Sequence, residues 1–277
     1  MPLKVSGFLW IVFYIYARTK RAKSSGKWDV SESTKECLRP NLGGEIRCHV
    51  DQKEFFDLYY SSREQIDRID KSYKEGRANF AVKYCNRGDL VLDVGAGNCE
   101  ITRELEKRGI LTIAVDVSRA GLVTGRGNGF RGELVVADAR KLPFRLKKFN
   151  KVLCMELVEH LKDPDNLLKE VRRVLKPSGL AIMSTPNGER WLRRVARLVG
   201  VELKIGVTHV NEFGVNELSK LGLHAGLNTV DRGKLVLDIP YPLVAVLPSP
   251  ILRKISGEFK KIPLFFCKFI ASVFQKG

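Results

Sequence analysis

Residues 90–100, LVLDVGAGNCE, decide the fold of this 277-residue chain. Apolar residues run into Asp93, and Gly95 and Gly97 follow before a segment that can begin a helix. This order predicts a buried strand, a tight glycine turn and a helix N-terminus. Such a turn opens a nucleotide site at the carboxyl end of the first strand of many α/β folds. Glycine suits it because the backbone must bend sharply and let a ligand come close.

The turn differs from a dinucleotide-binding turn. Its pattern is D-x-G-x-G-N, and Asn98, Cys99 and Glu100 stand where G-x-G-x-x-G would continue towards its third glycine. A pyrophosphate needs backbone room and a positive field at the start of the helix. Acidic residues before and after the turn therefore favour a cationic ligand that carries no phosphate.

Four further apolar runs follow the turn at helix-length intervals, which predicts a parallel sheet with crossover helices. Asp116 ends the first of these runs, about 20 residues past the glycines, where an acidic side chain meets ribose hydroxyls in nucleotide-binding α/β units. Asp138 and Ala139 follow the next run. The four runs are residues 111–116 (LTIAVD), 134–137, 151–156 (KVLCME) and 180–185 (LAIMST).

The segments DVGAGN, VDVS, ADARKLPF, MELVEHL and LKPSGLAIMSTPN, in this order, resemble the class I methyltransferases that use S-adenosylmethionine (SAM). They are similar to the group that contains quinone-biosynthesis O-methyltransferases, over about residues 77–230. The resemblance implies an open, Rossmann-like α/β sheet of seven strands with the last antiparallel. N-terminal helices precede this sheet, and a C-terminal amphipathic extension follows it.

The resemblance also assigns a SAM site. It places Asp93 near the methionine amino group, Asp116 on both ribose hydroxyls, and Asp138 at the adenine amino group. The full set of cofactor-binding residues that it implies is Asp93, Gly95, Gly97, Asn98, Asp116, Asp138, Ala139 and Glu156. The expected enzyme is a SAM-dependent methyltransferase that acts on an oxygen or carbon of a small, lipid-like or isoprenoid acceptor.

Glu156, Glu159 and His160 stand at i, i+3 and i+4, and on a helical turn these positions share one face. Two carboxylates and an imidazole can hold a divalent cation, and hard oxygen ligands favour Mg or Mn. The E-x-x-E-H string resembles metal-associated strings in quinone O-methyltransferases and small-RNA 2'-O-methyltransferases, and the RNA enzymes imply His209 as a fourth ligand. Alternatively, Glu156 lines the cofactor pocket and His160 or His209 is a catalytic general base.

The formal net charge of +17 is concentrated at the two ends of the chain. Residues 1–27 contain six Lys and Arg and no acid, and residues 243–277 contain six and one Glu. Such asymmetry predicts an anionic partner, either a membrane surface or, as the weaker candidate, RNA. A metal-dependent RNA 2'-O-methyltransferase and a noncatalytic SAM-binding regulator therefore remain alternatives.

Both ends also contain apolar, aromatic-rich runs. Residues 7–17, GFLWIVFYIYA, are too few for a comfortable transmembrane helix, which needs roughly 20 apolar residues. With the basic residues behind them they predict an interfacial anchor, or else a helix packed on the core. Apolar residues alternate with lysines in residues 251–274, which predicts a peripheral membrane helix or the last helix of a substrate cap. Residues 189–199 predict a basic amphipathic helix with Arg193 on its polar side.

These patterns divide the chain into an extension (1–50), a methyltransferase domain (51–240) and a second extension (241–277). Six scattered cysteines without a C-x-x-C pair indicate a reduced, intracellular compartment. The expected location is cytoplasmic, with peripheral binding to the inner membrane face.

Overall fold

A seven-stranded mixed sheet forms the centre of the structure, a computed structural model that describes residues 52–61, 68–198, 200, 208–239 and 247–277. The strands are β1 (Leu90–Val94), β2 (Leu111–Asp116), β3 (Glu133–Val136), β4 (Phe149–Met155), β5 (Leu175–Pro186), β6 (Leu227–Leu237) and β7 (Cys267–Lys276). Their order is β3-β2-β1-β4-β5-β7-β6. The first five strands are parallel, and β7 is antiparallel to both β5 and β6. The prediction of seven strands with the last antiparallel is confirmed.

Helices cover both faces of the sheet. They are α1 (Gln52–Ser61), α2 (Arg68–Val82), α3 (Glu100–Lys107), α4 (Arg119–Gly127), α5 (Pro164–Val174), α6 (Trp191–Leu198), α7 (Val215–His224) and α8 (Ser249–Ile255). Side chains of α2, α3 and α8 pack in one core layer, and those of α5 and α7 pack in the layer on the opposite face. The whole arrangement therefore has three layers.

Helix α5 illustrates how the sequence sets these layers. Asp163 caps its N-terminus by accepting a hydrogen bond from the Asp165 backbone N–H, and Pro164 follows at the first helical position. Its buried apolar residues recur at helical spacing and face the sheet: Leu167, Leu168, Val171 and Val174.

The strand order reverses direction between β1 and β4. Strands β2 and β3 lie on one side of β1, and β4 with β5 lie on the other. In open α/β sheets the crevice outside the carboxyl ends at such a point binds ligands. The glycine turn after β1 and the E-x-x-E-H string after β4 therefore lie at the edge where a ligand site is expected.

The structure corrects the interpretation of residues 241–277 as an extension beyond the domain. Residues 267–276 form β7, which lies between β5 and β6 with all but two of its ten residues buried. Leu252 and Ile255 of α8 pack in the same core layer as α2. The helical interpretation of residues 251–274 was wrong for residues 267–274, because a strand buried on both faces lacks the alternation that identifies a half-exposed strand.

The predicted N-terminal anchor at residues 7–17 lies outside the described residues. Within the part of the chain that the structure describes, no helix has both the length and the apolar composition required to cross a membrane.

Candidate active site

The glycine turn after β1 closes onto the end of β2. The backbone N–H groups of Gly95 and Ala96 donate to the Val115 carbonyl at 2.8 and 3.0 Å. Gly95 and Gly97 have φ of 77° and 52°, in the left-handed region that favours glycine. A Cβ at Gly97 would lie 2.1 Å from the Tyr60 hydroxyl oxygen. Both the backbone conformation and the close packing of α1 therefore require glycine in this turn.

Two buried carboxylates stand at this turn. Asp116 accepts hydrogen bonds from the backbone N–H groups of Gly97 and Ser118, both at 2.8 Å, and Asp93 accepts one from Thr102 Oγ1 at 2.9 Å. Burial raises the pKa of both groups, that of Asp93 to about 7. Neither has a cationic partner among the described residues, so a ligand with a positive charge and hydroxyl donors would fit here. SAM has both, in its sulfonium and amino groups and its ribose.

Helix α1 packs against the glycine turn and the start of α4. The carboxylate of Asp57 accepts hydrogen bonds from Ser118 Oγ at 2.6 Å and from the Ala120 backbone N–H at 3.0 Å, at the start of α4. The ring of Tyr60 lies against Gly97 and Gly121. A helix N-terminus favours a carboxylate, which explains why Asp57 holds α1 in this place.

The other residues predicted to bind the cofactor make fewer contacts with the glycine turn. Asp138 is partly exposed and forms a two-pronged ion pair with Arg140, at 2.6 Å for the shortest contact. The amide of Asn98 donates to Glu100 at 3.0 Å, and Ala139 is partly buried against the core. The assignment of Asp138 and Ala139 to adenine stays a prediction.

Glu156, the first residue after β4, has a strained backbone. Its φ of 58° is unusual for a residue other than glycine. Its N–H donates to the Ser184 carbonyl at 2.9 Å, and its carboxylate accepts from Ser184 Oγ at 2.7 Å. Burial raises the pKa of Glu156, and the nearby Arg77 and Lys268 oppose this rise. Neither cation belongs to a recognisable sequence motif, so the sequence analysis missed both.

Three of the four predicted metal ligands converge next to this residue. The ligand atoms of Glu159, His160 and His209 all lie within 4.8 Å of one another. Glu156 does not belong to this group, which corrects the predicted four-ligand set. Donors about 2.1 Å from a common ion are roughly 3–3.4 Å apart, so a metal would draw these side chains slightly closer.

Backbone hydrogen bonds bring His209 to the turn after β4. The N–H groups of Val210 and Asn211 donate to the Glu159 carbonyl at 2.9 and 3.1 Å. Glu159 is fully buried and its carboxylate accepts from Thr185 Oγ1 at 3.0 Å. Burial raises the pKa of Glu159 well above its ordinary value, and the neighbouring Glu156 raises it further.

His160 faces both helix α1 and His209. Its ring lies 5.3 Å from that of Phe56 and 4.9 Å from that of His209, and its Nδ1 is 3.0 Å from Thr208 Oγ1. Burial lowers the pKa of His160, opposed by the Thr208 backbone. The neutral imidazole is therefore the form present near pH 7, and it can accept a proton or bind a metal.

Helix α6 is oriented differently from the prediction. Arg193, expected on the solvent side, is buried and forms an ion pair with Glu212 at 2.6 Å. Arg190 lies 3.6 Å from the same carboxylate. In consequence Val195 and Leu198 are exposed together with Arg194 and Arg197, Leu198 with 86% of its surface accessible. The sequence could not reveal this orientation because the acidic partner comes 19 residues after Arg193.

Comparisons with known proteins agree with this geometry. A family model described as a methyltransferase domain matches residues 92–183. Over 105 residues the chain is 30% identical to the ubiquinone biosynthesis O-methyltransferase of Coxiella burnetii, a match of 36% of this chain and 45% of that protein. The Acinetobacter baumannii protein of the same name is 29% identical over 106 residues, with the same shares. The chain thus matches less than half of the length of these relatives.

Two solved structures share the fold. One is a SAM-dependent methyltransferase of Thermotoga maritima described as a possible histamine N-methyltransferase, with a TM-score of 0.61 and 20% identity. The other is a SAM-dependent methyltransferase of Archaeoglobus fulgidus, with a TM-score of 0.53 and 20% identity. Each match covers 82% of this chain and 100% of the other.

The sheet order is that of the solved SAM-dependent methyltransferases to which the chain is similar, and residues 92–183 match the methyltransferase-domain model.

Proposed function

We propose that this protein transfers the methyl group of SAM to an oxygen or carbon of a small, lipid-like or isoprenoid acceptor. The observation that carries the proposal is the junction at the carboxyl ends of β1 and β4. Buried carboxylates without cationic partners among the described residues stand on one side, and a neutral imidazole stands on the other. The two relatives named as O-methyltransferases favour an oxygen acceptor.

The proposed mechanism rests on orientation and proton removal. SAM supplies an activated methyl group on a sulfonium, so holding the acceptor in line with it gives much of the rate increase. Asp116 would accept hydrogen bonds from the ribose, and Asp93 would face the positive end of the cofactor. His160, neutral near pH 7, accepts the proton of a hydroxyl acceptor as the general base.

A divalent metal is a further element of the proposal. Glu159, His160 and His209 would hold it, and its chemistry would be to polarise a hydroxyl acceptor. Two imidazoles and one carboxylate suit Mn better than Mg, which prefers oxygen ligands throughout. EDTA should then abolish turnover and added Mn should restore it. Full turnover in EDTA would leave His160 as the base without a metal.

The exposed side of α6 supports membrane binding. Val195 and Leu198 are exposed beside Arg194 and Arg197, and Trp191 contacts Phe266 with ring centroids 6.4 Å apart. Phe265 packs on Phe266 and both are about 40% exposed. Apolar side chains among cations suit an anionic lipid surface, where a lipid-like acceptor would be met.

Radiolabelled SAM tests the proposal directly. We expect the full-length protein to label a component of a cell's lipid fraction, and Asp116→Asn to reduce the labelling. Label confined to the RNA fraction would instead support the RNA 2'-O-methyltransferase alternative. SAM binding without label in any fraction would support the noncatalytic regulator.

A further inference from the structure

Two cationic side chains surround one aromatic ring beside Glu156. The guanidinium carbon of Arg77, in α2, lies 4.7 Å from the centre of the Phe269 ring. The amine of Lys268, in β7, lies 5.9 Å from the same ring and 4.5 Å from the ring of Tyr73. Cations lie over aromatic rings because the ring face is electron-rich, but the ring supplies no hydrogen-bond acceptor.

Neither cation is neutralised by direct contact. Among the described residues, no hydrogen bond and no ion pair within 4.0 Å engages the side chain of Arg77 or Lys268. The acidic groups near Lys268, Asp238 and Glu156, act on its amine only from beyond ion-pair distance. Partly buried cations without an acceptor are costly, and a bound anion would remove that cost.

Lys268 lies away from the glycine turn. In the sheet, β7 is three strands from β1, and at about 4.8 Å per strand this separation is roughly 14 Å. Glu156 and the imidazole of His160 follow β4, between the two places. Lys268 therefore lies on the side of the reacting centre opposite to the cofactor turn, where an acceptor would enter. Arg77 reaches the same place from α2, whose Lys74 pairs with Glu100 at 3.0 Å.

We propose that Arg77 and Lys268 form an anion-binding subsite that takes a carboxylate or phosphate group of the methyl acceptor. The inference rests on the proposed function and narrows its substrate class from lipid-like molecules to those that carry an anionic group. The subsite would hold the anionic group of the acceptor away from the transferred methyl group. Arg77 and Lys268 would therefore bind and orient the acceptor without touching the reacting atoms.

The pH dependence of anion binding follows from the surroundings of Lys268. Burial lowers the pKa of its amine to about 8; nearby Arg190 and Arg77 act in the same direction, and Asp238 and Glu156 oppose them. The amine is therefore charged below pH 8 and loses its proton above it. Anion affinity should fall as the pH rises through about 8, and it should not fall there in Lys268→Arg.

Binding of benzoate and phenyl phosphate to the full-length protein tests the subsite. Both probes are titrated calorimetrically into protein saturated with S-adenosylhomocysteine, which keeps the carboxylate of the cofactor in place. We expect at least one probe to bind, Lys268→Met to weaken it about tenfold or more, and Lys268→Arg to retain most of the affinity. The exposed Lys254→Met is the matched control and should bind as the wild type does.

Three results would overturn the subsite. They are no binding of either probe to the loaded protein, equal binding by Lys268→Met, and binding only to cofactor-free protein. The last would mean that the cations hold the carboxylate of the cofactor. If S-adenosylhomocysteine itself does not bind, the proposed function fails. In that case the probes are titrated into the free protein alone. Binding that Lys268→Met weakens would still establish the anion site, and no such binding would refute the anion site.

Discussion

The two halves of the ligand-binding edge balance charge in opposite ways. At the ends of β1 and β2, Asp93 and Asp116 are buried among N–H and O–H donors with no cation beside them in the described structure. At the ends of β4, β5 and β7, the partly buried carboxyl of Glu156 lies within electrostatic range of Arg77 and Lys268. The first half, at β1 and β2, therefore has carboxylates without a cation beside them. The second half, at β4, β5 and β7, has two cations without a hydrogen bond or ion pair to an acidic group.

This difference indicates what each half binds. A cationic cofactor would complete the first half, and an anionic acceptor would complete the second. The reacting atoms would then meet between them, beside His160. The following variants separate the two halves, beginning with the largest expected effect.

Replacement of His160 should have the largest effect on the second half. His160→Ala removes the proposed base, and loss of a positioned general base typically lowers turnover by about 10²–10⁴-fold. SAM affinity should stay within about twofold, since His160 lies outside the glycine turn. Turnover is measured as transfer of radiolabel to the lipid fraction, with the exposed His224→Ala as the control. Equal loss of SAM affinity would place His160 in the cofactor half.

The burial of His160 also sets a pH dependence. Because its pKa is lowered, the neutral base persists to a pH below the ordinary imidazole value of about 6.5. The acid limb of the rate profile in the wild type should therefore lie below pH 6.5. A limb at or above that value, measured at saturating SAM, would contradict the environment assigned to this imidazole.

Glu159→Gln should stabilise the protein in a pH-dependent way. The carboxyl is fully buried and its pKa is raised, so the folded state binds more protons than the unfolded state. Stability of the wild type is then lost as the pH rises from about 4.3 through the raised value, and glutamine escapes this loss. We expect the variant to be more stable by about 1–3 kcal/mol at pH 8.

Thermal unfolding in EDTA measures this difference without a metal that could favour the wild type. The difference in stability between Glu159→Gln and the wild type should vanish below about pH 4.3. Glu133→Gln, at an exposed position, should be as stable as the wild type at every pH. A variant less stable than the wild type at pH 8 in EDTA would mean that the Glu159 charge is well compensated.

The smallest expected effect concerns the exposed side of α6. Leu198→Glu should reduce co-sedimentation of the full-length protein with anionic vesicles by about threefold to tenfold at low salt. The variant loses apolar area that the membrane would cover, and its new carboxylate is repelled by the anionic lipid. Leu223→Glu, on the exposed side of α7, is the matched control. Equal effects of the two variants, or no vesicle binding at all, would refute the membrane surface.

The sequence predicted the structure at the ends of β1 and β2 much better than that at the ends of β4, β5 and β7. The first half is contiguous: residues 90–100 form a strand, turn and helix start, and Asp116 ends the next strand. Local propensity and spacing are sufficient to place such residues. The E-x-x-E-H string also placed Glu159 and His160 together, and His209, which the RNA-enzyme resemblance implies as a ligand, lies close to both.

The second half depends on tertiary packing that leaves no local pattern. Arg77 and Lys268 are 191 positions apart in sequence and meet only because β7 inserts between β5 and β6. The same insertion explains why residues 267–274, predicted as part of an amphipathic helix, form a strand instead. Arg193 turned inward because its partner, Glu212, lies on a distant loop.

The central claim is that cofactor and acceptor occupy the two separate halves. Calorimetric titration of SAM into Asp116→Asn and Lys268→Met tests it most directly. Asp116→Asn should weaken SAM by about 1.5–3 kcal/mol, roughly 10- to 150-fold, because a charged acceptor is lost. Lys268→Met should bind SAM within about twofold of the wild type. Unchanged affinity in Asp116→Asn, or a comparable loss in Lys268→Met, would contradict this division of the site.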